Sequence, residues 1–148
     1  MLSDDANSLL LMVHALATLA MAGIIWFVQV VHYPLFLSVP PEAYTAYQRE
    51  HMSRTSLVVG PLMLVEAASA LAILILGIAA SNLAIPGIAL LGAIWLSTFL
   101  IQVPRHAALE RAADTRIIGS LVRTNWLRTI AWSVRAILSL LMLAPSSA

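Results

Sequence analysis

The sequence has no cysteine and no lysine; its eight basic residues are all arginine. Without cysteine the chain forms no disulfide, thiolate metal site, iron–sulfur cluster or cysteine nucleophile. Charge is scarce: only 10% of the 148 residues are charged, against roughly a quarter in a soluble domain. That is too little to cover a water-facing surface. No glycine-rich phosphate loop, nucleophile elbow or serine–histidine–aspartate arrangement occurs. Met21, Met52, Met63 and Met142 lack the clustered spacing of a thioether copper site, and no compact H-E-x-x-H motif is present. A net charge of +1 supports no nucleic-acid surface.

What the chain has instead is apolar length. It is 61% hydrophobic, with a mean hydropathy of +0.92. Crossing a bilayer takes about 20 apolar residues. Four runs reach that length: about 9–31, 56–80, 83–103 and 117–143. The expectation is one transmembrane domain over residues 1–148, an all-α integral membrane four-helix bundle. The first run reads as a span rather than a signal peptide. Acidic Asp4 and Asp5 precede it where a signal peptide is cationic.

The arginines are unevenly placed. The Tyr33–Arg54 connection holds Arg49 and Arg54, and Pro104–Arg116 holds Arg105, Arg111 and Arg116. The other side carries Asp4, Asp5, the uncharged Ser81–Pro86 turn and the uncharged tail Ala144–Ala148. The positive-inside rule then puts both longer loops in the cytoplasm and both termini outside, in a bacterial-type inner membrane. Pro40-Pro41 before Glu42 reads as a helix start. Residues 42–53 read as an interfacial helix running into the second span, with Tyr44 and Tyr47 along its membrane face. Ser81-Asn82 and Pro86-Gly87 read as a tight turn.

Several polar segments match in pairs. His32 and His106, Arg54 and Arg128, and Thr55 and Thr129 share an offset of 74 residues; Gly23-Ile24-Ile25-Trp26 matches Gly92-Ala93-Ile94-Trp95 at an offset of 69. Either the bundle is two duplicated helical hairpins related by an axis normal to the membrane, or the matches are chance similarity among apolar helices.

Ionisable residues within spans normally face the protein interior or a wet cavity. Glu66 is the only acid inside an apolar run. At 1.5 Å per residue it lies roughly 20 Å into its helix, with Arg128 roughly 17 Å and Arg135 roughly 27 Å into theirs. Asn125, Arg128, Trp132 and Arg135 share one helix face. Glu66 pairs most economically with Arg128, leaving Arg135 to snorkel outward. Alternatively both arginines stay inside, and the excess positive charge favours an anionic carboxylate or phosphate. A purely structural interhelical clamp is the third reading.

A second cluster sits near the cytoplasmic ends. Gln29 and His32 lie one turn apart, His51 and Arg54 open the second run, and Thr98, Gln102 and His106 share a face. Histidines 32, 51 and 106 form a candidate ligand set for a divalent transition metal, imidazole suiting Zn, Cu, Fe or Ni. The blander alternative is hydrogen bonding to backbone or water. Bis-histidine haem has less support, since His14 alone lies well inside a run. Trp26, Trp95 and Trp132 are either packing residues or a wall around a flat ligand.

Gln102-Val103-Pro104-Arg105-His106-Ala107-Ala108-Leu109, with Leu121-Val122-Arg123-Thr124-Asn125-Trp126-Leu127-Arg128, resembles the anthrone-oxygenase-like domain of unknown function. In that family a proline-containing motif closes the third helix and a Trp/Asn/Arg pattern enters the fourth. Asparagine is frequent where His106 stands here. The match covers about a third of the chain. It implies a small four-helix membrane protein, with some members oxidising anthrones without an evident cofactor. Trp26-Phe27, Tyr33-Pro34-Leu35-Phe36, Arg54 and Pro61-Leu62-Met63 show a local likeness to HemJ-type protoporphyrinogen oxidases.

Two functional expectations follow. One is a membrane oxidoreductase or tailoring enzyme for a lipophilic aromatic or quinone-like substrate. His51, His106, Glu66 and Arg128 would be its catalytic groups, and Gln29, Arg54, Gln102, Asn125 and Trp132 its substrate-binding groups. The other is a non-enzymatic small transporter or membrane-complex subunit, whose polar residues serve helix packing; a transporter would form a homodimer. The enzyme reading predicts His51, His106 and Glu66 converging on one enclosed cavity. The packing reading requires each polar group to be satisfied by a neighbouring helix.

Overall fold

The computed structural model describes residues 3–144. It contains four long helices: α1 (Asp4–Ser38), α2 (Pro41–Leu76), α3 (Ser81–Leu109) and α4 (Thr115–Leu143). All four are long and apolar enough to cross a membrane. Local chemistry sets their ends. Ser3 accepts a hydrogen bond from the Ala6 amide, starting α1. Pro41 opens α2, where its missing N–H costs nothing. Gly77 closes α2 with φ 63°, a left-handed geometry that glycine adopts without a Cβ penalty. Asp114 caps α4, its carboxylate accepting from the amides of Arg116 (2.8 Å) and Ile117 (3.3 Å).

The helices form a closed ring. α1 packs against α2 and α4, and α3 packs against α4 and, least extensively, α2. Met21, Ile25, Phe36, Ile94, Leu121 and Trp132 fill the centre. The outside carries exposed Leu16, Leu57, Ile75, Leu100 and Ile137. An apolar exterior of this extent suits lipid rather than water.

Two helices widen for one turn. Val28–His32 of α1 and Thr98–Gln102 of α3 are π-helical, with the Tyr33 amide bonded to the Val28 carbonyl and the Val103 amide to that of Thr98. Each segment ends two residues before a proline, Pro34 or Pro104. A mid-helix proline clashes with the carbonyl four residues back and leaves it without a donor. A π-turn is one way for the backbone to make room. The two prolines therefore sit within continuous helix, and Pro104 does not close α3.

The structure corrects several boundaries. The spans run beyond the apolar cores, because polar residues continue the helices at the ends away from the 77–80 connection. Residues 42–53 do run unbroken into the second span, but Tyr44 is 1% exposed and packs in the core rather than along a membrane face. The tight connection between α2 and α3 is formed by residues 77–80, while Pro86-Gly87 lies within α3. Of the uncharged tail, 145–148 lie outside the described residues.

Candidate functional site

The buried polar groups fall into layers along the bundle. The first layer lies in the half nearer the 77–80 connection. Glu66 is wholly buried and accepts from Arg135 Nε at 2.8 Å and Trp132 Nε1 at 3.0 Å. Arg135 also donates to the Gly87 carbonyl. The ion pair thus joins α2 to α4, and Arg135 ties α4 to α3. The expected Glu66–Arg128 pair is not formed, and Arg135 does not snorkel, since it is only 2% exposed. It lies seven residues, about two turns, beyond Arg128 on the same face, and it is Arg135 rather than Arg128 that stands opposite the carboxylate. Ser69 donates its single hydroxyl proton to the Val65 carbonyl (2.7 Å), so His14 Nδ1–H is the donor to Ser69 Oγ at 2.9 Å.

The middle layer joins α1 to α4. Asn125 Nδ2 donates to Gln29 Oε1 (2.9 Å), Gln29 Nε2 donates to the Val122 carbonyl (3.1 Å), and Arg128 donates to Asn125 Oδ1 (3.2 Å). Gln29 and Asn125 are therefore committed to each other. They position Arg128 rather than reach into open space.

Arg128 is the exception to this pairing. It is 6% exposed, and among the described residues no carboxylate lies within ion-pair distance. Its Nε has no hydrogen-bond partner. The guanidinium rests 5.1 Å from the Trp132 ring centroid. A desolvated cation–π contact offsets about 2 kcal/mol, whereas burying an ion costs several kcal/mol. Glu66 and Arg135 cancel, so the bundle interior retains one uncompensated positive charge.

The third layer is aromatic and imidazole-rich. Gln48 Nε2 lies 2.7 Å from His106 Nδ1, and Tyr33 Oη lies 2.9 Å from His106 Nε2. With the amide donating to Nδ1, His106 carries its proton on Nε2 and donates to the tyrosine oxygen. The Tyr33 hydroxyl proton then remains available to a further acceptor. His32 Nε2 and His51 Nδ1 are 2.8 Å apart, and Thr55 Oγ1 is 3.1 Å from the same His51 nitrogen. His51 and His106 stand with ring centroids 5.4 Å apart.

Histidines 32, 51 and 106 do come together, but as donors and acceptors rather than as a ligand set. Both His106 nitrogens are occupied, and His32 and His51 face each other through a hydrogen bond. Among the described residues no group of three His, Cys, Asp or Glu is spaced to hold a metal ion.

Above this floor lies a cavity of about 350 Å³ in the seam between α2 and α3. Arg128, Tyr33, His51, Gln102 and His106 supply its polar groups, while Val59, Met63, Leu64, Trp95, Phe99 and Val103 supply apolar wall. Ser56, Leu64, Phe99 and Val103 are exposed on the outer helix surface, so the cavity opens sideways. The opening falls where Gly60 of the continuous helix α2 has no side chain to fill the seam and α3 carries its π-segment.

The sequence-predicted residues divide accordingly. His51, His106, Gln102 and Arg128 line the cavity. Gln29, Asn125 and Trp132 support it from behind, and Glu66 belongs to the separate layer. His51 and His106 thus converge on a cavity as an enzyme predicts, but Glu66 does not, and the cavity is open rather than enclosed. Arg54 is not in the site: its guanidinium is 78% exposed and pairs with Glu50 one turn away at 2.5 Å. Tyr33 and Gln48 are site residues that the motif pairs did not single out. Gln48, His51 and Thr55 share a helical face, and that spacing was the signal for Gln48. The pairing at an offset of 74 is not structural, since the π-segments and their prolines repeat at an offset of 70 (28 to 98, 34 to 104).

These features define an all-α, four-helix bundle of multi-pass membrane type, with a laterally open cavity over a polar floor. Searches against protein-family models, curated proteins and solved structures returned no match.

Proposed function

We propose that the bundle binds a lipophilic aromatic or quinone-like small molecule, admitted from the bilayer through the α2–α3 seam, and acts on it as an oxidoreductase or tailoring enzyme. The observation that carries this reading is the cavity itself: an apolar wall open to the outer surface, closed by Tyr33, His51, His106 and Arg128. A ligand dissolved in lipid would slide in tail-outward and present its oxygen atoms to that floor. Tyr33 and His106 then sit within one hydrogen-bonded unit able to give or take a proton, and Arg128 stabilises charge developing on oxygen. The resemblance to the anthrone-oxygenase-like domain is consistent with proton and oxygen chemistry on such a substrate.

The arginines also support an orientation. Arg49, Arg54, Arg105, Arg111 and Arg116 gather at the bundle end that holds the histidine layer. With positive charge retained inside, that end is cytoplasmic in a bacterial-type inner membrane, and both termini are extracytoplasmic.

The test is a fluorescence titration of the detergent-solubilised chain with a short-chain benzoquinone. Saturable quenching of Trp95, lost in Trp95→Phe and abolished by plugging the mouth with Ser56→Phe, supports the reading. Unsaturable quenching, or quenching indifferent to Ser56→Phe, overturns it. A second reading has its own observation: Glu66–Arg135 and Gln29–Asn125 bond directly between neighbouring helices, with a void of only about 10 Å³ beside Arg135, as a packing or complex-subunit role predicts.

A further inference from the structure

Among the described residues, the one fully charged side chain lining the cavity is basic, beside neutral polar groups that include the unpartnered Gln102 Oε1. Arg128 contributes a fixed positive charge, Tyr33 an unused hydroxyl proton, and His51 and His106 neutral or cationic rings. Among the described residues, none of the cavity-lining side chains is acidic. The two carboxylates nearest in sequence to its walls are spent elsewhere, Glu66 on Arg135 and Trp132, and Glu50 on Arg54. Arg128 Nε is buried without an acceptor, and Arg128 lines the α2–α3 cavity. Tryptophan 132 covers one face of the guanidinium, and Asn125 fixes one of its terminal nitrogens. The guanidinium is thereby held in place with its Nε uncommitted.

We infer that the ligand of this cavity is a lipophile carrying a single anionic oxygen group, a carboxylate or an ionised enol or phenol, whose charge pairs with Arg128. The inference rests on the cavity being a ligand site, as proposed above, and adds the charge of the ligand. A neutral quinone would satisfy hydrogen-bond donors but leave the buried charge uncompensated. One anionic group cancels it, and a doubly charged phosphate would reverse the imbalance. A cavity of about 350 Å³ takes up a small amphiphile whole. Tyr33 adds a second donor beside the first, giving the two-point grip that a carboxylate or vinylogous carboxylate takes up.

The experiment uses two probes of nearly equal size: 1,4-naphthoquinone, which is neutral, and 2-hydroxy-1,4-naphthoquinone, a vinylogous acid ionised at neutral pH. Both are titrated against the full chain in a non-ionic detergent, with Trp95 quenching as readout. The wild-type protein is expected to bind the hydroxy compound about tenfold or more tighter. Arg128→Gln should erase that preference, weakening the hydroxy compound far more than the neutral quinone, and Arg128→Lys should keep part of it. Equal affinity of the two probes for the wild type overturns the inference without touching the cavity reading, as does a preference that survives in Arg128→Gln. If neither probe binds saturably, the cavity reading itself fails, and this inference with it. The wild-type comparison needs no variant, so it stands even where Arg128→Gln does not fold.

Discussion

Arg135 and Glu66 meet across 2.8 Å in a setting where neither reaches solvent, and they bridge the last helix to the second. Removing one partner of such a pair leaves the other charged and buried, whereas removing both does not. Glu66→Gln is expected to destabilise the bundle by about 3–5 kcal/mol, and Arg135→Met by a similar amount. The double variant Glu66→Gln/Arg135→Met should recover most of the loss. Reversible unfolding in mixed micelles reads this. A double variant as unstable as the sum of the singles would show that the two residues are not acting on each other.

Arg128 should behave oppositely. No carboxylate depends on it, and Asn125 loses only one hydrogen bond if it is replaced. Arg128→Met is expected to change stability by no more than about 1 kcal/mol, or to raise it, while binding of the acidic naphthoquinone disappears. The same unfolding assay measures it. A loss as large as that of Glu66→Gln would mean that Arg128 has an anionic partner within the protein itself.

The Gln48–His106–Tyr33 chain makes a statement about one proton. Long-range ¹H–¹⁵N correlation spectra of histidine-labelled protein should find His106 as the Nε2–H tautomer, with Nδ1 bare and accepting from Gln48. The opposite tautomer would reverse the chain, so that Tyr33 donates inward and has no proton left for a ligand.

Asp114 gives a pH dependence outside the spans. The Arg116 amide, then that of Ile117, hydrogen-bonds its carboxylate and holds its pKa below the ordinary value of 3.8. The cap is therefore complete above the unfolded-state pKa and is lost as pH falls through the lower folded value. Amide-exchange protection of Arg116 and Ile117 should be flat near neutrality and decline below about pH 4. Asp114→Asn, which caps without ionising, should remove that decline. A decline that persists in the asparagine variant would place its origin elsewhere.

Much of this architecture was legible in the sequence because lipid-spanning helices declare themselves by length. The face formed by Asn125, Arg128, Trp132 and Arg135 was legible for a similar reason: an uninterrupted α-helix keeps its 3.6-residue period, and all four residues are buried. Glu66's partner was not. Arg128 and Arg135 lie on one face, and which of them is level with Glu66 depends on how far α4 is shifted along its axis relative to α2. Depth counted from uncertain helix ends does not resolve that shift. Gln29 and Gln102 also could not be equated by sequence spacing. One is the second residue of its π-segment and the other the last of its own, so an apparent repeat of His and Gln does not superpose. The sideways cavity was invisible for a further reason. It lies where Gly60 of α2 and the π-segment of α3 are set side by side, a property of the pair of helices rather than of either one.

The two widened turns have a consequence for how this chain can change. Each holds a residue more than an α-helix needs to cover the same arc. Deleting one residue from Val28–His32 or Thr98–Gln102 would let that stretch relax to an ordinary turn with the faces on either side still aligned. The same deletion elsewhere in a span would swing everything beyond it by about 100° and carry buried polar groups into the lipid. Changes in length are therefore best tolerated next to the polar floor, where they would also reshape what the cavity accepts.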